Sequence, residues 1–360
     1  MRGAEAVLAC LREQGVDTVF GYPGGMILPL YDALYAQDEV RQILVTHEQN
    51  AAHAADGYAR ATGRIGVCIA TSGPGATNLV TGLATAYMDS IPMVAITGQV
   101  DIAMLGRDAF QETDILDVTM PITKHNYKIK NAADLVPTIR QAFALARSGR
   151  QGPVLLDVPR NLFFEEVAYT PAEPEVRPPG KPDADFMICA AEAAAEIAAA
   201  ERPLVIVGGG VISAGTSAEI TSFIEKYHLP VVHTLMGMGA VPSTHPQMLG
   251  FAGMHGEKAA NYAIGAADLV VAIGSRFADR QTGNLSKYTA NRKFIHIDID
   301  PAEIDKNIEN SLGLAGDMRT ILKLLMRQAP KSDLAAWWEQ IRSWQEEYDY
   351  DYHVGRLTVP

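Results

Sequence analysis

Glu48 lies in the run Val45-Thr46-His47-Glu48-Gln49-Asn50-Ala51-Ala52-His53-Ala54-Ala55-Asp56-Gly57-Tyr58-Ala59-Arg60, where a β-branched segment gives way to an alanine-rich helix. Ile43, Leu44 and Val45 read as a buried parallel strand, and residues 49–62 as a helix closed by Gly63. That reading puts the Glu48 carboxylate at the carboxyl end of a strand, where open α/β sheets bind their ligands. A carboxylate shielded there by apolar neighbours can share a proton with a ligand nitrogen near neutral pH. The other reading is a helix N-terminal acid stabilised by the helix dipole. Two neighbouring segments bear on the choice. Val19-Phe20-Gly21-Tyr22-Pro23-Gly24-Gly25 and Ile65-Gly66-Val67-Cys68-Ile69-Ala70-Thr71-Ser72-Gly73-Pro74-Gly75-Ala76-Thr77-Asn78 both run from a strand into glycines, which let backbone approach a ligand closely. Three strand ends are therefore expected on one rim.

A sheet must hold these residues. Up to about residue 160, apolar strands alternate with helices, and residues 152–159 are expected to form the buried strand that closes the first sheet. Residues 169–182 are too rich in proline for helix or interior strand and should run extended over the surface. A second α/β unit follows, with strands expected at 203–207, 230–232, 268–273 and 293–298. Gly208, Gly209 and Gly210 follow its first strand and could hold a nucleotide pyrophosphate, although the full GxGxxG spacing is missing. From Lys331 through Trp337, Trp338, Trp344 and Tyr348, the chain reads as an amphipathic helix and tail whose aromatics pack against a neighbouring domain. The expected fold class is α/β, with two doubly wound parallel-sheet domains at 1–165 and 185–330, a proline-rich linker at 166–184 and a tail at 331–360.

Composition narrows the function. With 360 residues, 48% apolar and 20% charged, the chain can bury sizeable cores. A net charge of −12 and the lack of a basic stripe argue against a nucleic-acid partner. The first residues read as a helix rather than a signal peptide, and no apolar run reaches membrane-spanning length, so neither a membrane nor export is expected and the location should be cytoplasmic. Cys10, Cys68 and Cys189 form no CxxC pair; three buried thiols are expected, with no zinc or other metal site.

Six segments occur in order: Gly21-Tyr22-Pro23-Gly24-Gly25, His47-Glu48-Gln49, Gly57-Tyr58-Ala59-Arg60, Thr71-Ser72-Gly73-Pro74-Gly75-Ala76-Thr77-Asn78, Ile91-Pro92-Met93-Val94-Ala95-Ile96-Thr97-Gly98-Gln99 and Asp108-Ala109-Phe110-Gln111-Glu112. Together they resemble the pyrimidine-binding domain of thiamine diphosphate enzymes, and specifically that of acetolactate (acetohydroxyacid) synthase large subunits. The resemblance continues to the end of the chain. It implies that Glu48 hydrogen-bonds the cofactor's aminopyrimidine, that Gly25 brings backbone to the thiazolium side, that Gln111 hydrogen-bonds around the reacting centre and that Phe110 walls it from water. Lys124, Met254 and Arg280 match positions lining a second-substrate channel, where a cation suits an incoming carboxylate. The alternatives are a surface ion pair for Lys124 or Arg280 and ordinary packing for Met254 and Phe110. His47, His53 and His125 read as scaffold.

The same resemblance implies a Rossmann-like central domain that carries FAD without net redox chemistry. Its matching positions are Gly208, Gly209, Gly210, Thr234, Leu235, His255, Gly256, Gly274, Arg276, Asp298, Ile299 and Asp317, with Arg150 from the first domain. Asp298 or Asp300 can accept ribose hydroxyls, and Asp300 reads equally as a helix cap. The implied reaction is decarboxylation of pyruvate and carboligation to pyruvate or 2-ketobutyrate. It gives 2-acetolactate or 2-aceto-2-hydroxybutyrate for branched-chain amino acid biosynthesis. The implied cofactors are thiamine diphosphate, FAD and Mg²⁺, and the implied partners are a second copy in a homodimer or tetramer and a small regulatory subunit. Asp101, Arg107 and Ala278 depart from the usual pattern, which bears on channel shape. The family holds the diphosphate and its metal through a Gly-Asp-Gly motif and a downstream Asn in a third domain. No such pair is read here, so the chain is expected to stop short of that domain and to be inactive alone. The competing readings are another thiamine diphosphate carboligase or decarboxylase, and a non-catalytic flavin-binding module.

Overall fold

The computed structural model describes residues 1–175, 180, 182–309, 311–328 and 333–348. Its first unit, Met1–Pro178, is built on six strands: β1 (Thr18–Gly21), β2 (Arg41–Leu44), β3 (Gly66–Ala70), β4 (Met93–Gln99), β5 (His125–Lys128) and β6 (Pro153–Pro159). They run parallel in the order β2-β1-β3-β4-β6-β5. β3, β4 and β6 are buried at every residue, as continuous apolar runs covered by helices on both faces should be. The helix Glu48–Thr62 lays Ala51, Ala52, Ala55 and Ala59 toward this sheet and ends at Gly63 in the left-handed region, φ 69°. It sits so close to β3 that a Cβ on Gly66 would lie 2.1 Å from the Ala55 carbonyl oxygen. Alanine on one side and glycine on the other make that approach possible.

The second unit, Pro179–Pro360, carries β7 (Pro203–Val207), β8 (Val231–His233), β9 (Met248–Phe251), β10 (Leu269–Ile273), β11 (Lys293–Asp298) and β12 (Leu312–Ala315). These are also parallel, in the order β12-β11-β10-β7-β8-β9. Chain direction across the sheet reverses between β7 and β10, and between β1 and β3 in the first sheet, so both are doubly wound.

Several expectations need correction. β2 is an edge strand and not buried, and Leu44 at its end is 63% exposed. β6 does not close the first sheet, because β5 lies outside it. β9 and β12, which flank the second sheet, have no strong strand signature. Cys10 and Cys68 are buried, and burial pushes both thiols up to about 12, but Cys189 is only half-buried. The helix Ala335–Glu347 is built into the second unit. Trp337 is buried with its indole N–H donating to the Pro203 carbonyl at 3.0 Å, and Trp338 donates to the His228 carbonyl at 2.9 Å. Residues 176–179 and 181 of the linker, and 331–332 and 349–360 of the tail, lie outside the described residues. No described helix is long and apolar enough to cross a membrane.

Candidate active site

The carboxyl ends of β2, β1 and β3 lie side by side, and the turn after each reaches the same rim. Glu48 is the first residue of its helix and is only 8% exposed. His47 caps that helix, its Nδ1 accepting the Gln49 N–H at 3.2 Å. One Glu48 oxygen, Oε2, accepts a hydrogen bond from Asn78 Nδ2 at 2.9 Å. The other, Oε1, faces Gly75, where a Cβ would stand 3.2 Å from it. The turn after β3 therefore fixes the carboxylate from two sides. Thr71 in the same turn accepts the Met26 N–H at 3.2 Å and so ties down the glycine turn after β1. Within that turn the two glycines differ. A Cβ on Gly24 would meet Thr71 at 2.5 Å, whereas one on Gly25 would meet nothing within 4 Å, so backbone at Gly25 faces open space.

Residues 100–114 bring a second group to this rim. Gln111 has φ 57°, and its carbonyl lies against Gly73, φ 58°, where a Cβ would come within 2.6 Å of the Gln111 oxygen. Glu112 clasps the loop, accepting the N–H groups of Gly106 at 2.5 Å and Ala109 at 3.0 Å. These backbone donors hold its carboxyl below the usual range. Phe110 at the tip is 80% exposed in the single chain.

Lys124 stands apart from this cluster. Its Nζ donates to the carbonyls of Leu145 at 2.6 Å and Ser148 at 2.5 Å, at the end of the helix Ala132–Arg147. An incoming carboxylate would compete with those bonds. Arg150 Nε donates to Ser90 Oγ at 2.9 Å.

In the second unit, the triple glycine serves the protein's own packing first. A Cβ on Gly208 would lie 2.1 Å from the Gly274 oxygen, and one on Gly210 2.7 Å from the Gly274 Cα. Gly274 itself has φ 59°, so three glycines let the turns after β7 and β10 abut. Around this contact, the carboxyl rim presents Leu235, Met238, Met254 and Ile299 with large exposed apolar surfaces. Thr234 caps the short turn Leu235–Gly237, its Oγ1 accepting the Gly237 N–H at 3.2 Å. His255 is exposed, and Gly256 donates to the Gly253 carbonyl at 2.9 Å in a turn where Gly253 has φ 120°. Arg276 is half-buried. Asp298 is buried, and its Oδ1 accepts the Asp300 N–H at 3.0 Å. Asp300 caps the turn Pro301–Glu303 by accepting the Ala302 N–H at 3.0 Å, the second of its two expected roles. Asp317 likewise caps the helix Met318–Leu325, accepting from Thr320 N at 2.8 Å. Arg280 and Met254 come together, with Nη1 3.8 Å from Sδ.

Asn78 and Thr71 stand inside the Thr71–Asn78 motif, but their residue types alone do not mark them as individual partners of the site. Asp157, with Thr97 and Gln99 of the Ile91–Gln99 segment, forms a wholly buried polar cluster between β4 and β6 that no spacing in the sequence announces.

The family described as "Thiamine pyrophosphate enzyme, N-terminal TPP binding domain" matches residues 1–118, and "Thiamine pyrophosphate enzyme, central domain" matches 190–325. The chain is 48% identical over 368 residues to an acetolactate synthase large subunit of Parasynechococcus marenigrum, covering 99% of this chain and 58% of that protein. It is 47% identical over 367 residues to a probable acetolactate synthase large subunit of Methanocaldococcus jannaschii, covering 100% and 60%. To the acetolactate synthase isozyme 3 large subunit of Escherichia coli it is 43% identical over 369 residues, covering 99% and 64%. It thus spans about three fifths of the length of the curated relatives it matches.

Proposed function

We infer function from membership: the chain belongs to the thiamine pyrophosphate enzyme family, among the acetolactate synthase large subunits. On that premise we propose that the whole protein decarboxylates pyruvate and joins the two-carbon unit to a second 2-keto acid, pyruvate or 2-ketobutyrate. The products are 2-acetolactate and 2-aceto-2-hydroxybutyrate, precursors of valine, leucine and isoleucine. The observation that carries this reading is Glu48, a buried carboxylate at the strand ends with one oxygen fixed by Asn78 and open backbone nearby at Gly25.

Thiamine diphosphate, when bound, supplies the carbon nucleophile and the electron sink for loss of carbon dioxide. The residues present fit its pyrimidine end. Asn78 holds Oε2 so that Oε1 of Glu48 is the atom left to share a proton with a ring nitrogen. Gly25 admits the ring system without a side chain in the way. Gln111, docked on Gly73, is the amide assigned to hydrogen-bond the reacting carbonyl, and Phe110 is assigned to exclude water there.

FAD is assigned to the second unit. Leu235, Met238, Met254 and Ile299 offer a flat apolar ring the uncovered surface it would occupy. Arg276 is assigned to the phosphates, and Asp298 to a ribose. The flavin's role is structural. Mg²⁺ as counter-ion of the diphosphate, a homodimer or tetramer, a small regulatory subunit and a cytoplasmic location complete the proposal.

A protein carrying the full length of its relatives tests it. With thiamine diphosphate, Mg²⁺, FAD and pyruvate it should form acetolactate and carry a flavin spectrum. Acetaldehyde as the sole product, with no flavin bound, would make it a decarboxylase of the same family instead. Arg280, whose side chain is exposed and paired only loosely with Asp279 at 4.0 Å, is assigned to the acceptor keto acid. Arg280→Ala should lower acetolactate formed per carbon dioxide released by about tenfold, the scale of one charge-assisted hydrogen bond. An unchanged ratio removes Arg280 from acceptor binding.

A further inference from the structure

Asp157 is a carboxylate in the middle of β6 with no exposed surface, and the proposed chemistry gives it no part. It faces Thr97 across the register of β4 and Lys128 across that of β5. The Lys128 ammonium instead meets Asp114, at 3.3 Å. The donors that Asp157 does meet are Thr97 Oγ1, 2.8 Å from Oδ1, and Gln99 Nε2, 3.1 Å from Oδ2. Gln99 in turn has both ends of its amide on the loop 100–114. Its Nε2 also donates to the Thr113 carbonyl at 3.0 Å, and its Oε1 accepts the Val100 N–H at 2.9 Å. One side-chain amide thus staples the first residue of the loop, Val100, to its last but one, Thr113. The staple holds only while the amide keeps its NH₂ toward β6, because the flipped amide would set a carbonyl against both Asp157 and the Thr113 carbonyl and take the acceptor away from the Val100 N–H.

We propose that Asp157 is a positioning residue, which by orienting the Gln99 amide closes the loop 100–114 and so sets Gln111 against Gly73 at the Glu48 rim. A second anchor at the loop's start, Ile102 N–H to Asn161 Oδ1 at 3.1 Å, comes from the residues that follow β6. The two segments together fix the loop's base, and the Glu112 clasp fixes its interior. Only the catalytic importance of Gln111 rests on the function proposed above. The closing of the loop is a property of the chain itself, so the two can fail separately.

Hydrogen exchange of the 360-residue chain, read by mass spectrometry without cofactor or substrate, tests the staple. Asp157→Leu keeps a side chain of similar bulk but removes the acceptor, and amides in 100–114 should exchange about tenfold faster, the scale of one or two net hydrogen bonds. Asp157→Asn is the conservative rescue. Its Oδ1 can accept from Gln99 while its Nδ2 donates to Thr97, so loop exchange should stay at the parent rate. That variant is also expected to fold. Burial raises the Asp157 carboxyl from 3.8 to about 6, so the parent loses stability as pH rises between those values, and Asp157→Asn removes that loss. Should Asp157→Leu fail to fold, Gln99→Met removes the staple from its other side and should give the same local loosening. Thr97→Val removes the donor that does not touch the loop and should leave 100–114 protected. A loop as protected in Asp157→Leu or Gln99→Met as in the parent overturns the proposal. So does loosening by Thr97→Val as large as that by Asp157→Leu, which would mark the cluster as packing alone.

Discussion

Glu48→Gln, made in a protein of the relatives' full length, is expected to cut turnover by on the order of 10²–10⁴-fold while the first unit stays folded and melts within a few degrees of the parent. Glutamine keeps the length of the side chain, and its amide oxygen can still accept the Asn78 hydrogen bond that Oε2 accepts at 2.9 Å. The helix loses one negative charge from its first turn, which costs about 0.3–1 kcal/mol. What disappears is a group able to take up and return a proton beside a ring nitrogen. Steady-state pyruvate decarboxylation together with a thermal melt checks both halves. Turnover within a few-fold of the parent enzyme would remove Glu48 from the chemistry and leave it as the helix N-terminal acid that the sequence equally allows.

The second large effect is on the fold. Gly208→Ala should destabilise the second unit by about 1–3 kcal/mol or more, because the added carbon would stand 2.1 Å from a backbone oxygen of Gly274, and neither partner is a flexible side chain. For a unit of this size that is roughly 2–4 °C of melting temperature per kcal/mol. The first unit should be untouched, so calorimetry should show the second unit's transition alone moving down. FAD affinity should fall with the second transition. Gly25→Ala is the contrast, since open space surrounds that position and the melt should not move. A Gly208→Ala protein that melts with the parent would mean that the turns after β7 and β10 yield easily, and that the glycines there are kept for the ligand alone.

The central strands were legible because each is a continuous apolar run. Gly-Val-Cys-Ile-Ala in β3 and Leu-Val-Val-Ala-Ile in β10 can only be buried on both faces. Edge strands carry no such mark. β5 reads His-Asn-Tyr-Lys, and β9 contains a glycine at φ 100° that makes room for the Glu257 carboxylate. β2, Arg41–Leu44, overlaps the strand expected at Ile43–Val45 but lies at the sheet's edge, and Ile43 and Leu44 look like core until the order of strands is known. At the site, Glu48, Gly25 and the turn after β3 could be singled out because their partners lie within one motif or its neighbour. Lys124 shows the opposite case. Its partners are carbonyls on a helix more than twenty residues on, and no residue type announces a carbonyl. Asp157 was hidden for the same reason, its amide partner lying 58 residues away.

The helix Ala335–Glu347 has an optical consequence. The chain contains 3 tryptophans, and all of them, Trp337, Trp338 and Trp344, sit on this one helix. Indole emission therefore comes from the second unit alone, and the first is dark at that wavelength. Trp337 and Trp338 are buried with their N–H groups bound to backbone carbonyls, so their emission should be blue in the folded protein and shift red when the helix leaves its bed. A denaturant titration followed through indole fluorescence records the unfolding of the second unit. The same titration followed by circular dichroism records both, and the difference between the two curves isolates the unit that carries Glu48.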